Sequence, residues 1–362
     1  MARLTTALLL LVTLSWSAIS VAQEQYWEYT FRPGDSIWKI AEKYTTSVDN
    51  WLEIRELNKI HEGPDRRIPP GARIIIPVEM LKIQPVPAEV VAAKGGPTLV
   101  RANGDRQEAE VGSLLYSGDR VVTEVEQALR IRFADDSELQ VLPSSEVKLD
   151  KLSYHKAAGM VDTRIRLNSG RVNTWVEKLR PDSRYQITTP AATTAVRGTA
   201  YRLTAESGMV SRAEVTSGQV GVAAGNTEKA VNEGFGIVAE KDKPLPEPVK
   251  LLPAPELGEN QSADQSQLKL SWQPLKGATL YRYQLATDQN FDQVVIDAST
   301  ADSQIELGDL PPARYYLRVR GVDQYKLEGL DAIRDYQILE PPEEDDRSWV
   351  VILPIAIMLL VM

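Results

Sequence analysis

The sequence contains no cysteine and only two histidines, and these absences exclude several kinds of chemistry. Without cysteine there is no disulfide framework, no lipid-attachment cysteine and no thiol nucleophile. The two histidines, His61 and His155, are too few for the usual zinc ligand sets of hydrolases. The chain also lacks a G-x-S-x-G nucleophile elbow, a P-loop and a dinucleotide-binding fingerprint. The sequence therefore predicts no metal site and no cofactor.

Positively charged residues are also fewer than negatively charged ones. The chain has 41 Lys and Arg against 50 Asp and Glu, for a net charge of -9, and the basic residues form no stripe. A nucleic acid is therefore not a predicted partner, because binding it needs clustered basic side chains to neutralise phosphates. The length of 362 residues and the 43% hydrophobic content indicate a globular protein of two or three domains.

Long hydrophobic runs occur only at the two ends of the chain. At the start, Arg3 is followed by the apolar run Ala7–Val12 and by the small residues Ser20 and Ala22, which flank Val21. This order is typical of a signal peptide, predicted over residues 1–22, and indicates export to the periplasm or cell envelope. A short membrane anchor is the alternative, but the run is shorter than the ~20 residues that a spanning helix needs.

The second apolar run is the tail, Trp349–Met362, which comes shortly after the acidic residues 343–346 and Arg347. As a helix it would reach roughly 21 Å, less than the ~30 Å of the hydrocarbon core, and Pro354 interrupts it. A marginal tail anchor, an interfacial segment and a spanning helix whose downstream portion is missing all remain open. We expect association with the inner membrane through this tail in preference to a buried core helix.

Proline clusters divide the region between these ends. The sequence predicts a first domain at 26–78, a β domain at 88–240, a Pro-rich linker at 241–261 and a third domain at 262–339.

The first domain has the pattern of a strand, two helices and a closing strand. Asp35 or Ser36 can cap the first helix, whose apolar face is Ile37, Ile40, Ala41 and Tyr44. A second helix is expected after Ser47, with its end at Asn58; its predicted apolar residues are Val48, Trp51, Leu52, Ile54 and Leu57.

Three motifs of this domain, YTFRPGDSIWKIA (29–41), WLEIRELN (51–58) and IPPGARIIIP (68–77), closely resemble a LysM domain. That family binds N-acetylglucosamine-containing glycans, chiefly peptidoglycan in bacteria. The resemblance implies a glycan-binding groove between two loops, formed by Gly34, Asp35, Ser36, Ile37, Lys59, Ile60 and His61.

Helix capping is the competing interpretation for the side chains of Asp35 and Ser36. We therefore expect sugar contacts at these positions to come mainly from the backbone. The stretch 60–67 is longer and more charged than in a minimal LysM domain, which puts the preferred glycan in doubt.

The second domain is β throughout, with many short strands separated by turn signals, as in a sandwich or β-roll. Asn103-Gly104 predicts a hairpin, Asp135-Asp136 a turn, and Asn168-Ser169-Gly170 a turn between two further strands. Its motifs FADDS (133–137), GRV (170–172), TTP (188–190), VRGT (196–199) and SGQV (217–220) resemble the FecR periplasmic domain. The resemblance implies a signalling or interaction module, although the cytoplasmic anti-sigma segment of the founding system is not found in this sequence.

The third domain has strands at 268–272, 281–286 and 315–320 that alternate as if one face were buried. The segment Leu310–Tyr315 resembles the corner of a fibronectin type III domain, where a tyrosine hydroxyl bonds to the backbone. This resemblance implies a β-sandwich with Trp272 and Tyr315 in its core, serving as a spacer or docking surface.

The fold class predicted for the whole chain is therefore mainly β and multidomain. The leading functional prediction is a non-catalytic envelope protein that binds peptidoglycan and presents its β domains to another envelope protein. The alternative is an envelope signal sensor that acts through the FecR-type domain. A peptidoglycan hydrolase comes third, since the available carboxylates, Asp135-Asp136 and residues 343–346, lie in predicted turns or linkers.

Overall fold

The computed structural model describes residues 26–60, 68–82, 84–155, 159–179, 183–196, 198–206, 209–260 and 267–338. The predicted signal peptide and the predicted hydrophobic tail lie outside these ranges. The chain divides into two compact units, one within residues 1–82 and the other within residues 83–362. The protein is mainly β, as predicted, and its helices lie in the first unit.

The first unit has the predicted order of strand, helix, helix and strand. Its elements are β1 (Tyr26–Thr30), α1 (Ile37–Tyr44), α2 (Asn50–Leu57) and β2 (Arg73–Pro77), followed by a 3-10 turn at Val78–Met80. The two strands pair antiparallel, with Thr30 opposite Arg73 at one end and Tyr26 opposite Pro77 at the other.

The predicted apolar face of α1 is confirmed for Ile37, Ile40 and Ala41, which are buried, whereas Tyr44 is half-buried. The prediction for α2 is wrong in one respect, since Leu52 is 58% exposed while Ile54 is fully buried. The reason is geometric: two residues differ by about 200° around a helix, so Leu52 lies on the side of α2 opposite to Ile54.

The second unit begins with a β domain that contains strands β3 to β20. Their bounds are Gln84–Pro85, Ala88–Lys94, Thr98–Val100, Arg106–Glu108, Leu114–Leu115, Arg120–Thr123, Ala128–Arg132, Glu138–Val141, Ser145–His155, Met160–Val176, Arg184–Thr188, Thr193–Val196, Thr199–Glu206, Val210–Ser217, Gln219–Ala224, Thr227–Asn232, Phe235–Glu240 and Val249–Lys250.

These strands form two layers around one hydrophobic core. The first sheet has the order β6-β5-β8-β11-β12-β13-β14-β17-β18, and β3 pairs with the far end of β11. The second sheet has the order β7-β4-β9-β10-β12-β15-β16-β19-β20. Strand β12 belongs to both sheets. The predicted hairpin at Asn103-Gly104 is confirmed, because β5 and β6 pair across it and Gly104 has a φ of +95°.

The predicted turn at Asn168-Ser169-Gly170 is wrong, because β12 runs through it without a break. Up to Ser169 the strand pairs with β11, and from Gly170 onward it pairs with β15. Gly170 has a φ of +92°, and a Cβ there would lie 2.5 Å from the Cα of Ser145. The glycine therefore marks the bend at which one strand passes from the first sheet to the second.

The Pro-rich segment predicted as a linker is packed where the structure describes it. Leu245 and Leu251 are buried, and Val249–Lys250 pairs with the start of β19. These contacts attach the segment to the β domain, so the chain between the two domains of this unit is not a free tether.

The C-terminal domain is a sandwich of two sheets. Its strands are β21 (Leu268–Ser271), β22 (Leu280–Ala286), β23 (Val294–Thr300), β24 (Gln304–Leu307), β25 (Ala313–Val322) and β26 (Ala332–Ile338). One sheet pairs β21 with β24, and the other has the order β23-β22-β25-β26. Trp272 is buried in the core, and the Tyr315 hydroxyl donates to the carbonyl of Pro311 at 2.9 Å, as predicted for a fibronectin-like corner.

The prediction that the strands of this domain bury one face is wrong for β22 and β25. The polar side chains of Arg282, Gln284, Arg318 and Arg320 are buried as well as the apolar ones between them. The reason is that this second face packs against the β domain, from which Arg202 bonds to Asp331. The carboxylates that pair with Arg282 and Arg320 lie in the C-terminal domain itself, on the loop before β26. Burial of charge is tolerated only with such partners.

Candidate functional site

The loop between β1 and α1 is closed by its own carboxylate. Asp35 accepts hydrogen bonds from the backbone N–H of Arg32 at 2.7 Å and from the hydroxyl of Tyr29 at 2.6 Å. Burial and this hydrogen bond raise the pKa of the Tyr29 phenol well above its ordinary value. Gly34 at the tip has a φ of +85°, and nothing lies within 4 Å of where its Cβ would be. The backbone at the tip of this loop is therefore open on the side where a side chain would stand.

The first turn of α1 is built by Ser36 and Ile37. The Ser36 hydroxyl accepts from the backbone N–H of Lys39 at 3.2 Å, which confirms the capping role. The Ile37 side chain is fully buried, so only its backbone can face a ligand. The Lys39 ammonium donates to the carbonyl of Gly34 at 3.4 Å and ties the helix back to the loop.

The loop after α2 is held by Asn58. Its side-chain amide donates to the carbonyls of Ile54 and Ile75, each at 2.7 Å, and its side-chain oxygen accepts from the N–H of Ile75 at 2.7 Å. Lys59 follows with a φ of +53°, in the left-handed region, and the N–H of Ile60 donates to the carbonyl of Arg55 at 3.0 Å. The end of the helix is thereby fastened to the middle of β2.

The two loops are attached to the sheet at different places. The loop before α1 follows the Thr30 end of β1, and α1 is followed by Thr45, which bridges Leu81. The loop after α2 begins at Asn58, which is bonded to Ile75 in the middle of β2. The predicted residues Gly34 to Ile37 belong to the first loop and the first turn of α1, and Lys59 and Ile60 belong to the second loop, whereas His61 falls outside the described residues.

One exposed aromatic side chain beside the loop before α1 was missed by the sequence reasoning. Trp38 lies in the first turn of α1 and is 46% exposed. The helical spacing could have identified it, because Trp38 falls outside the apolar face formed by Ile37, Ile40 and Ala41. An aromatic ring that the core does not use is available for contact with a ligand.

A second chemically distinctive feature is a buried group of charges between the β domain and the C-terminal domain. We call it the interdomain charge cluster; it comprises Arg202, Glu214, Arg282, Arg320, Glu328 and Asp331. Glu328 pairs with Arg282 at 2.8 Å and with Arg320, while Asp331 pairs with Arg320 at 2.7 Å and with Arg202 at 3.1 Å. Arg202 also donates to the backbone carbonyls of Glu328 and Gly329.

The pKa values of the two glutamates in this cluster are shifted in opposite directions. Burial raises the pKa of Glu214 to about 7, because attraction to Arg202 offsets only part of the desolvation and Glu328 adds repulsion. Burial also acts on Glu328, but the guanidinium groups of Arg320, Arg282 and Arg202 outweigh it and hold its pKa well below the usual range. Glu328 is therefore the ionised centre of the cluster.

The described residues contain neither a candidate metal site nor a candidate membrane-spanning helix. Over the ranges that the structure describes, no three or more His, Cys, Asp or Glu side chains come together as a potential metal site. Of the helices in those ranges, none is both long and apolar enough to cross a membrane.

Comparison with known families assigns two parts of the chain. The LysM domain model matches residues 29–77, and the FecR protein model matches residues 119–221. The chain thus contains a LysM domain in the first unit and a FecR domain in the second, as the motifs predicted. Both are binding or signalling families without known catalysis. No curated protein matches the sequence.

The solved structures that resemble parts of this chain have low sequence identity to it. A proposed anti-sigma factor from Parabacteroides distasonis is 11% identical over 36% of this chain and 58% of its own, with a TM-score of 0.30. FN3tt is 20% identical over 25% of this chain and 96% of its own (TM-score 0.21), and the chicken CNTN1 FN1–FN3 domains are 11% identical over 72% and 98% (TM-score 0.21). The chain spans little more than half of the anti-sigma factor, and scores this low carry no weight for function.

Proposed function

We propose that this chain, which contains a LysM domain and a FecR domain, is a non-catalytic protein of the bacterial periplasm or cell envelope. Its first unit binds peptidoglycan, and its second unit presents the FecR domain and the C-terminal sandwich to another envelope protein. The observation that carries the glycan-binding half is that residues 29–77 match the LysM domain and that both loops of the predicted groove are closed by side-chain hydrogen bonds, those of Asp35 in one and those of Asn58 in the other.

The chemistry of these loops suits an uncharged sugar. Hydroxyl and acetamido groups need hydrogen-bond partners with fixed positions, and backbone groups in closed loops supply them without a side-chain entropy cost. The open backbone at Gly34 can approach a sugar closely, since no side chain stands in the way. Trp38 beside the loop offers an apolar ring face against which the C–H groups of a pyranose can pack.

Co-sedimentation with purified insoluble peptidoglycan tests the proposal. The full chain is expected to sediment, and a variant lacking residues 26–78 is expected to stay in the supernatant. Equal sedimentation of both proteins would move the glycan site out of the LysM domain, and no sedimentation of either would contradict peptidoglycan binding. Release of soluble glycan fragments would instead favour a hydrolase.

A single substitution locates the site within the LysM domain. Valine at Gly34 must adopt a positive φ, which costs about 1–2 kcal/mol and displaces the loop, so we expect peptidoglycan binding at least tenfold weaker. Gly71→Val is the matched control, because Gly71 also has a positive φ and open space around it but lies in the turn before β2. Binding isotherms should separate the two variants at equal thermal stability; equal losses of binding would contradict the assignment.

A role in envelope signalling is the second candidate, and the FecR domain favours it. The buried interdomain charge cluster couples this domain to the C-terminal sandwich, so a partner that displaces one would displace the other. A transcriptional response that requires residues 119–221 but not the LysM domain would favour this candidate over anchoring.

A further inference from the structure

A cleft of about 440 Å³ opens where the β domain meets the C-terminal domain. Leu142, Pro143 and Arg171 line it from the β domain, and Phe291 and Ser299 line it from the C-terminal domain. Its volume falls in the range of about 300–1,000 Å³ that is typical of ligand sites. The LysM domain contributes none of the lining residues, so this cleft is distinct from the proposed glycan site.

The cleft follows the outer edge of strand β23. In the described part of the chain, β23 pairs with β22 along one edge only. Lining residues Val295, Asp297 and Ser299 alternate with Val294 and Ala298, so both sides of the strand border the cleft. Asp297 as a whole residue is exposed, but only 21% of its side-chain surface is. The exposed surface therefore belongs largely to its backbone.

This edge lacks the devices that usually protect an exposed strand. The sequence Val-Val-Ile-Asp-Ala-Ser-Thr of β23 contains no Lys, Arg or Pro, and the single carboxylate, Asp297, is paired with Arg282. The opposite edge of the same sheet, β26, carries Arg334 and Asp335 instead. Because natural proteins block unpaired edges with charge, proline or a covering segment, the open edge of β23 is suited to pairing with an added strand.

The start of β23 is held in place by the β domain, and the cleft has an apolar rim. The Lys94 ammonium donates to the carbonyl of Val294, and the side-chain amide of Gln293 donates to the carbonyl of Ala93 at 3.3 Å, which fixes the start of β23. Val125 and Val295, at 76% and 50% exposure, both line the cleft. An occupant with small apolar side chains would bury them.

Arg171 supplies the charge for recognition. Its closest carboxylate contacts are long, 3.5 Å to Glu328 and 3.7 Å to Asp297, whereas Arg282 binds both of these carboxylates more closely. A guanidinium group has five N–H donors, and that of Arg171 remains 27% exposed in the wall of the cleft. It can therefore bind a further carboxylate.

We propose that this cleft binds an extended segment of a partner protein, which adds a strand to the edge of β23 and directs an acidic side chain to Arg171. Backbone hydrogen bonds to the edge supply affinity, while Arg171 and the apolar rim supply the choice of sequence. This inference specifies the protein-interaction half of the proposed function and rests on it.

Fluorescence polarisation with the full chain tests the proposal. The probe is a labelled heptapeptide in which threonine alternates with three valines and one glutamate. We expect saturable binding, at least tenfold weaker for a peptide with lysine in place of glutamate and for one whose alternate amides are N-methylated. Equal binding of the N-methylated peptide would overturn strand addition. Peptidoglycan is absent from the assay, so failure here leaves glycan binding untouched.

Two variants and a matched control place the peptide in the cleft. Val295→Glu is expected to weaken binding at least tenfold by repelling the acidic peptide, and Arg171→Gln is expected to abolish the preference for glutamate over lysine. Ile333→Glu is the control, because Ile333 is 56% exposed on the opposite edge strand, β26; it should bind as the wild type does. Equal affinity of Val295→Glu and wild type would overturn the proposal. So would a dimer in sedimentation velocity that Val295→Glu dissociates, since a second copy would then be the occupant.

Discussion

Replacing Glu328 by glutamine is expected to lower the free energy of unfolding of the second unit by about 3–5 kcal/mol. The Glu328 carboxylate is the shared partner of Arg282 and Arg320, and both arginines are buried. Glutamine keeps the shape but not the charge, so two desolvated guanidinium groups would each lose one of their carboxylate partners, with Asp297 left for Arg282 and Asp331 left for Arg320. Removing one partner from a buried group of ion pairs is costly because the buried positive charge is then less fully compensated.

Urea unfolding of the full chain, followed by tryptophan fluorescence, measures this effect. Trp175 lies in the β domain and Trp272 in the core of the C-terminal domain, so the fluorescence follows the unfolding of both domains of the second unit. Glu306→Gln is the control, because Glu306 pairs with Lys269 at 3.5 Å with 62% of its side chain exposed. Such surface pairs contribute about 0–1 kcal/mol. Similar midpoints for both variants would contradict a structural role for the interdomain charge cluster.

Local features of the fold could be predicted from the sequence because short-range chemistry determines them. Asn103-Gly104 forms the predicted hairpin because this pair readily adopts positive φ angles. Ser36 caps α1 through its hydroxyl, and Tyr315 bonds back to Pro311, as the local motifs indicated. In each case the partners are at most a few residues apart, so a single sequence contains the information.

Features that depend on distant partners were predicted incorrectly. The residues before Gly170 look like a hairpin turn, but the same glycine also permits a strand to bend from one sheet into another. The alternation of Arg318 and Arg320 with Leu317 and Val319 suggests an exposed polar face. Only the acidic partners on a loop and the neighbouring β domain make that face buried, and no local pattern identifies them.

The candidate glycan site was predictable at the level of its loops. The motif around Gly34 placed one loop, and Asn58 at the end of α2 placed the other. The side chains were harder to assign: Ile37 belongs to the core, Asp35 closes its own loop, and exposed Trp38 was overlooked. Burial is a tertiary property, so a motif cannot distinguish backbone presentation from side-chain contact.

Glu214 combines deep burial with incomplete neutralisation. On the paired strand β15, the Nε of Arg202 lies 3.9 Å from the Glu214 carboxylate, and the backbone N–H of Glu328 donates to this carboxylate at 3.3 Å. Arg320 adds attraction from the C-terminal domain, while the Glu328 carboxylate adds repulsion. Desolvation is the largest effect, and it raises the pKa of Glu214 from 4.5 to about 7.

This raised pKa gives the second unit a pH-dependent stability. Between pH 4.5 and 7 the folded protein holds a proton on Glu214 that the unfolded chain has released, so this contribution is present below pH 4.5 and lost as the pH rises to 7. His155 acts in the opposite direction, because burial lowers its pKa and its contribution is lost as the pH falls. Because His155 is present in both proteins, the difference in unfolding free energy between the wild type and Glu214→Gln reports the ionisation of Glu214.

The expected outcome is a difference between wild type and Glu214→Gln that changes by about 3 kcal/mol across this window. Glutamine resembles the protonated carboxyl group, so the two proteins should have similar unfolding free energies at pH 4.5, and the variant should be more stable above pH 7. Urea titrations at half-unit pH steps measure the difference. Parallel profiles would mean that Glu214 ionises alike in the folded and unfolded states, which is incompatible with its burial between the two domains.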